Sequence, residues 1–398
     1  MGGVAGGVSA AGPGGGGTHI GGAGGRAVWI DVARGVCVIL VVLLHVRIFV
    51  FEPLVPEEVD TRAWREFTEF FGPFRLPLLF ALSGLLVSER VRHGWGDRRN
   101  LLRVASSYWI YLVWLTVFAL MSLAVTASGV PFKIHSVPDY LLQLVLPDTI
   151  LWFVFALAVY VAVLTTLHRV PWPVVLGVFA AVAVGSGLVP ASDAEAMWVH
   201  MLYFGVFFAV GVHLPRVLVW LAGGRMLPKL LVCLVAFVGL LELWELTSLG
   251  DMLESGLRLV RDAAAIALAV VVCSLVSRVP GVSRVLAGVG RRTLPVYVMQ
   301  LPWLWALYLL PFVRSLHGSD VALYLGPVVA TAVIVGGSLL LHAGMERTPL
   351  RYAFRLPPVL VARILGPVGA GAGGADASAG GSAEGGRARA FRSEAPGH

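Results

Sequence analysis

The chain is short of charge. Asp, Glu, Lys and Arg make up 13% of its 398 residues, against roughly 25% in an ordinary soluble domain. Lysine is nearly missing: of thirty basic residues only Lys133 and Lys229 are lysine. Cysteine is scarce, and Cys37, Cys233 and Cys273 all fall inside apolar runs. That excludes a disulfide framework and offers no metal-ligand spacing, so no metal is expected. The formal charge of +7 comes from arginines set between apolar runs rather than from a basic stripe. Nucleic acid is therefore not an expected partner.

Apolar sequence is what the chain has in quantity. Hydrophobic residues make up 58%, and the mean hydropathy is +0.83. Ten apolar segments approach or exceed the length that spans about 30 Å of hydrocarbon. They lie near 28–51, 68–88, 104–127, 149–168, 172–189, 197–213, 228–248, 259–277, 294–313 and 321–343. The expected fold is an all-α integral membrane bundle of about ten transmembrane helices, occupying residues 26–355 of the sequence. Residues 1–25 are mostly Gly, Ala and Ser without a basic region ahead of an apolar core. They read as a disordered tail rather than a signal peptide. Residues 356–398 read as a second tail, disordered from about 366.

Loop charge gives an orientation. With a cytoplasmic N-terminus, the cytoplasmic loops hold thirteen basic residues, from Arg90 to Arg292, and the opposite loops hold five. The opposite loops also carry most of the acids. By the positive-inside rule both termini are expected in the cytoplasm of a cell-membrane protein. No internal repeat is evident, whereas many carriers are built from two related halves.

The stretch 29–46 of the first apolar run contains three polar residues, Asp31, Arg34 and His45. Titratable groups in lipid are costly, rare and usually functional. At about 100° per residue, Arg34 and His45 fall within about 20° of one face, roughly 16 Å apart along the axis. Arg34 is a fixed cation whose fork suits phosphate. His45 is a general-base candidate. Asp31, one turn before Arg34, is placed to orient it. A plain alternative is an interfacial Asp–Arg pair with a buried histidine bonded to a neighbouring helix. A second constellation lies further on: Glu242 and Glu245 one turn apart, then Arg258, Arg261 and Asp262. It reads either as a structural ion-pair cluster or as a polar lining for a sugar acceptor, with Glu242 and Asp262 as contacts. Arg75, inside the second run, carries the same ambiguity.

The triplet resembles the opening of the acyltransferase 3 family of integral membrane acyltransferases. An acidic residue, a basic residue, ten intervening residues and a histidine match Asp31, Arg34 and His45. Other similarities follow in family order. They are the run ending in Ser83-Gly84, the arginine-rich loop Arg98–Arg103, Leu151-Trp152-Phe153, the segment around Tyr297, and the exit around Glu346. The fucose 4-O-acetylase-like branch is the most similar. Two positions depart from the pattern: Gln300 stands where the family often has histidine, and Asn100 where it often has the first arginine of an Arg-x-x-Arg pair.

The resemblance implies an O-acyltransferase that moves an acyl group, expected to be acetyl, from acyl-CoA to a hydroxyl of a carbohydrate, glycolipid or other acceptor. It implies that Arg34 with Arg98, Arg99 and Arg103 meets the coenzyme's phosphates and that the pantetheine arm threads along the first helix. His45 then serves as base or as transient acyl carrier; both remain open. Tyr297 and Gln300 are expected to contact the acceptor. The alternatives are a multi-pass transporter or flippase of a glycosylated or acylated molecule, and a non-catalytic acyltransferase-like partner, which Gln300 would suit. The sequence does not set an oligomeric state.

Overall fold

The computed structural model describes residues 27–55, 60–125, 129–190, 196–246, 250–310 and 320–366. The two tail readings lie largely outside them. Among the described residues every regular element is helical. We number the α-helices as follows: α1 Val28–Val46, α2 Arg62–Phe70, α3 Gly72–Val91, α4 Arg98–Ala124, α5 Val137–Gln143, α6 Trp152–Thr166, α7 Trp172–Gly185 and α8 Met197–His213. They continue with α9 Pro215–Leu221, α10 Met226–Leu246, α11 Asp251–Val276, α12 Pro280–Gly290, α13 Thr293–Leu309, α14 Asp320–Met345 and α15 Pro358–Leu365.

A helix stands at each of the ten apolar runs. Among the described residues seven helical segments are long and apolar enough to cross a membrane, and an eighth if α8 and α9 count as one span bent by 82°. Pro215 opens α9, where a missing backbone donor and a fixed φ break helical continuation. The run at 172–189 folds as a shorter apolar helix, and α13 has 17 residues. The spans are all-helical for the usual reason: in hydrocarbon each backbone N–H and C=O must be satisfied within its own segment.

Small residues bring the central helices together. A Cβ added at Gly35 would sit 2.1 Å from the Leu286 carbonyl oxygen, and one at Gly290 would sit 1.7 Å from that of Asp31. Backbone therefore lies on backbone where α1 crosses α12. The same holds for α3 on α8, where Gly84 meets the Phe208 carbonyl and Gly211 meets that of Ala81. Close approach at small residues is a common way of packing helices where burial of apolar surface gives little drive. The Ser83-Gly84 pair is thus a packing seam: Ser83 returns its hydroxyl to the Leu79 carbonyl at 2.7 Å, and Gly84 admits α8.

α1 does not stop at Val46. A π-turn, Arg47–Phe51, and a final turn, Glu52–Leu54, extend it. Buried Arg47 bonds Glu52 at 2.8 Å, and Arg65 approaches the same carboxylate at 3.5 Å. Glu52 thereby ties the end of α1 to the start of α2. Beyond α14 the chain crosses α4, where Trp109 and Trp114 donate to the carbonyls of Tyr352 and Ala353.

Candidate active site

α1 runs between two cavities, one at each end. The first, about 710 Å³, is lined by His45 together with residues near the start of α3, the last turns of α10 and the first half of α11. The second, about 330 Å³, is lined by Arg34, the later half of α3, the start of α4 and the start of α13. α1 and α3 are antiparallel: the wall of the first cavity pairs residues 41–45 with 66–76, and that of the second pairs 34–38 with 79–90. Tyr297 lines both. Its hydroxyl donates to the Ile150 carbonyl, and its ring packs on Phe153 at 5.3 Å. The Leu151-Trp152-Phe153 sequence divides there, with Trp152 facing the first cavity and Phe153 the second.

At the first cavity, His45 Nδ1 lies 3.0 Å from Gln300 Oε1. Gln300 is fully buried on α13 and is not among the residues that line the cavity. It holds the histidine from behind, where the sequence reading had it contacting acceptor. With the amide oxygen facing the ring, Nδ1 carries the hydrogen and donates. Nε2 then keeps its lone pair, the form a general base needs.

The second constellation assembles across the same cavity. Tyr203 donates to Asp262 at 2.8 Å, and Arg261 bonds that carboxylate from Nε and Nη2 at 3.2 and 3.0 Å. The Arg261 guanidinium also lies 4.9 Å from the Trp244 ring centroid, and that of Arg258 4.3 Å from the Tyr203 ring. Asp262 and Glu245 line the cavity, whereas Glu242 is exposed and off its wall. His200, which the sequence left unassigned, lines it too and packs against Trp152 at 5.8 Å.

At the second cavity, Arg34 donates to Thr293 Oγ1 at 2.6 Å, which fixes its fork against the start of α13. Asp31 is buried one turn before it. Of the loop arginines, Arg103 lines the cavity. Arg98 is exposed and reaches the Ile364 carbonyl at 3.4 Å, and Arg99 occupies the exposed first turn of α4. Arg90 lines the cavity in their place. Its signal was in the sequence: Ser83 and Arg90 are seven residues apart, within about 20° of one helical face. Asn100 is buried and donates to the carbonyls of Arg90 and Gly94 at 2.9 and 2.8 Å. It pins the turn between α3 and α4 rather than serving as a substitute cation.

The comparisons with known proteins bear on this arrangement. The family model Acyl_transf_3, described as an acyltransferase domain, matches residues 27–343. The chain belongs to the acyltransferase 3 family. The inner membrane protein YcfT of Escherichia coli (strain K12) is similar, with 26% identity over 181 residues covering 42% of this chain and 50% of that protein. The match thus spans about half the length of that curated relative. No solved structure matches. The two cavities lie inside the family match, since every residue lining them falls between 34 and 297.

Proposed function

We propose that this protein is a membrane O-acyltransferase that uses acyl-CoA, with acetyl as the expected group, to acylate a hydroxyl on a carbohydrate, glycolipid or related envelope acceptor. The observation that carries the reading is the placement of Arg34 and His45. They sit on one face of one helix, about 16 Å apart, each lining a separate cavity, with Tyr297 between them. A donor and an acceptor entering from opposite ends would meet at Tyr297.

The Arg34 cavity suits the donor. Arg34, Arg90 and Arg103 supply guanidiniums for phosphates at its mouth, and Val38, Leu79 and Phe153 supply an apolar wall for a narrow thioester arm. The arginine-rich loops support a cytoplasmic position for this end by the positive-inside rule, and with it both termini on that side. The His45 cavity suits the acceptor. It is larger, and its aromatic and charged walls match a hydroxyl-rich molecule. His45 Nε2 takes the acceptor's proton as the hydroxyl attacks the thioester. General-base help of this kind is typically worth about 10²–10⁴-fold.

A carrier reading draws on the same two-ended cavity pair, so the test must detect bond formation. Membranes containing the protein are incubated with labelled acetyl-CoA and a lysate of candidate acceptors, and wild type is compared with His45→Ala and Arg34→Ala. Label moves in the wild type, His45→Ala is inactive, and Arg34→Ala needs more acetyl-CoA. Absence of label transfer in the wild type, or equal transfer by the His45 variant, would sink the reading. Transfer appearing only when Gln300 is replaced by histidine would favour the non-catalytic partner.

A further inference from the structure

Arg75 enters the His45 cavity without a close ion pair, although Glu66 and Glu69 of α2 line the same cavity. It is only 9% exposed, yet it lines the cavity. Its Nη1 donates to the Thr68 carbonyl at 2.8 Å. Among the described residues no carboxylate lies within ion-pair distance of it. Burying a guanidinium whose counter-ions stand beyond ion-pair distance is costly. The cost is offset where a negative charge forms beside it.

Its position says which charge. Cys37 of α1 contacts the Phe74 carbonyl of α3 at 3.8 Å, so the two helices are level there. His45 lies eight residues further along α1, about 12 Å by helical rise. Side chains lean toward the N-terminus of their own helix, and α1 and α3 are antiparallel. His45 therefore leans back and Arg75 leans forward, each toward the other. The bond to Thr68, seven residues ahead of Arg75, fixes that lean. It occupies Nη1 and leaves Nη2 and Nε without a hydrogen bond among the described residues.

We propose that Arg75 is a catalytic residue of this site, holding the oxyanion that forms when an acceptor hydroxyl adds to the thioester carbonyl. The proposal rests on the acyl-transfer reading above. The acceptor oxygen bonds to the carbonyl carbon as its proton passes to His45 Nε2. The carbonyl π pair moves onto oxygen, where Arg75 donates to it. When that pair returns, the carbon–sulfur bond breaks and the departing thiolate recovers the proton from His45. An ester and free coenzyme A thiol result, with no redox change. Donors already aimed at developing charge act strongly because they need no reorganisation as it forms.

The test uses the full chain in lipid nanodiscs, labelled acetyl-CoA, and a panel of free mono- and disaccharides as acceptors. Removing one oxyanion donor typically costs about 10²–10³-fold in kcat. Arg75→Gln is expected to lose that much with the KM values for acetyl-CoA and saccharide within about two-fold of wild type. Arg75→Lys, which keeps charge and stem, is expected to fall between. Added guanidinium ion is expected to restore part of the activity of Arg75→Ala, which a purely structural defect would not allow. A rise in either KM at unchanged kcat would make Arg75 a substrate anchor and overturn the proposal. So would wild-type rates in the Gln and Ala variants, or a failed guanidinium rescue alongside a lysine variant as slow as the glutamine one. If wild type transfers label and His45→Ala does not, such results fail this inference alone. If wild type transfers nothing, the acyl-transfer reading fails first and takes the inference with it.

Discussion

His45 Nδ1 meets Gln300 Oε1 at 3.0 Å across the α1–α13 contact, and the same glutamine's Nε2 is buried without a hydrogen-bond partner. The amide spends one of its groups on the histidine and leaves the other unmet. Gln300→Leu therefore loses the ring's orientation while also removing an orphaned donor, and its net stability change should stay within about 1 kcal/mol. Activity should suffer more: kcat is expected to fall about 10- to 100-fold, near the lower end of what general-base catalysis supplies, at unchanged KM for acetyl-CoA. Steady-state kinetics paired with a melting curve check this. A variant that melts early and keeps its kcat would show a packing role instead.

How much of this was legible beforehand follows from what each residue costs. Asp31, Arg34 and His45 stand out because charge in an apolar run is expensive, and their spacing on one helix is fixed by geometry. Ser83-Gly84 and Leu151-Trp152-Phe153 were legible as positions, but their work is not a property of one helix. Gly84 matters because the Phe208 carbonyl is opposite. The choice of Glu245 over Glu242, and of Arg90 and Arg103 over Arg98 and Arg99, depends on how neighbouring helices rotate about their axes. A single sequence does not encode that rotation at one-residue resolution. The π-turn at Arg47–Phe51 also escaped the reading, since its apolar residues suit a regular helix equally well.

The α1–α12 seam should tolerate no added methyl. A Cβ at Gly290 would meet the Asp31 carbonyl oxygen at 1.7 Å, and backbone cannot rotate away as a side chain can. Overpacking typically costs about 1–3 kcal/mol, and Gly290→Ala is expected at the top of that range or beyond. Because the clash displaces α1 at Asp31, it should also weaken acetyl-CoA binding through Arg34. Gly288→Ala is the control, having nothing within 4 Å of its added Cβ. Thermal aggregation of the two variants in the same detergent compares them directly, and equal melting would refute the seam.

Asn100 gives a separable prediction at the donor end. Its side chain satisfies two carbonyls, those of Arg90 and Gly94. Asn100→Leu takes that donor from the Gly94 carbonyl, at about 1–3 kcal/mol if the group stays buried, while the Arg90 carbonyl keeps the His93 N–H at 3.0 Å. Arg90 follows the turn that Asn100 pins, so the KM for acetyl-CoA should rise several-fold while kcat is largely kept. Unchanged KM in a destabilised variant would mean that Arg90 does not contact the donor.

Tyr297 separates the two cavities, and its substitutions should separate two functions of one residue. Tyr297→Phe removes only the hydroxyl, leaving the Ile150 carbonyl without that donor. Stability should fall by about 1–3 kcal/mol, while the ring still narrows the passage. Tyr297→Ala removes the wall itself. Water from the His45 side then reaches the thioester, and His45 can activate water as readily as a sugar hydroxyl. Acetyl-CoA hydrolysis should therefore rise relative to transfer in the alanine variant and stay at the wild-type ratio in the phenylalanine one. Thiol release measured with and without saccharide gives that ratio. If both variants keep the wild-type partition, donor and acceptor do not meet at Tyr297, and the two-ended arrangement needs another junction.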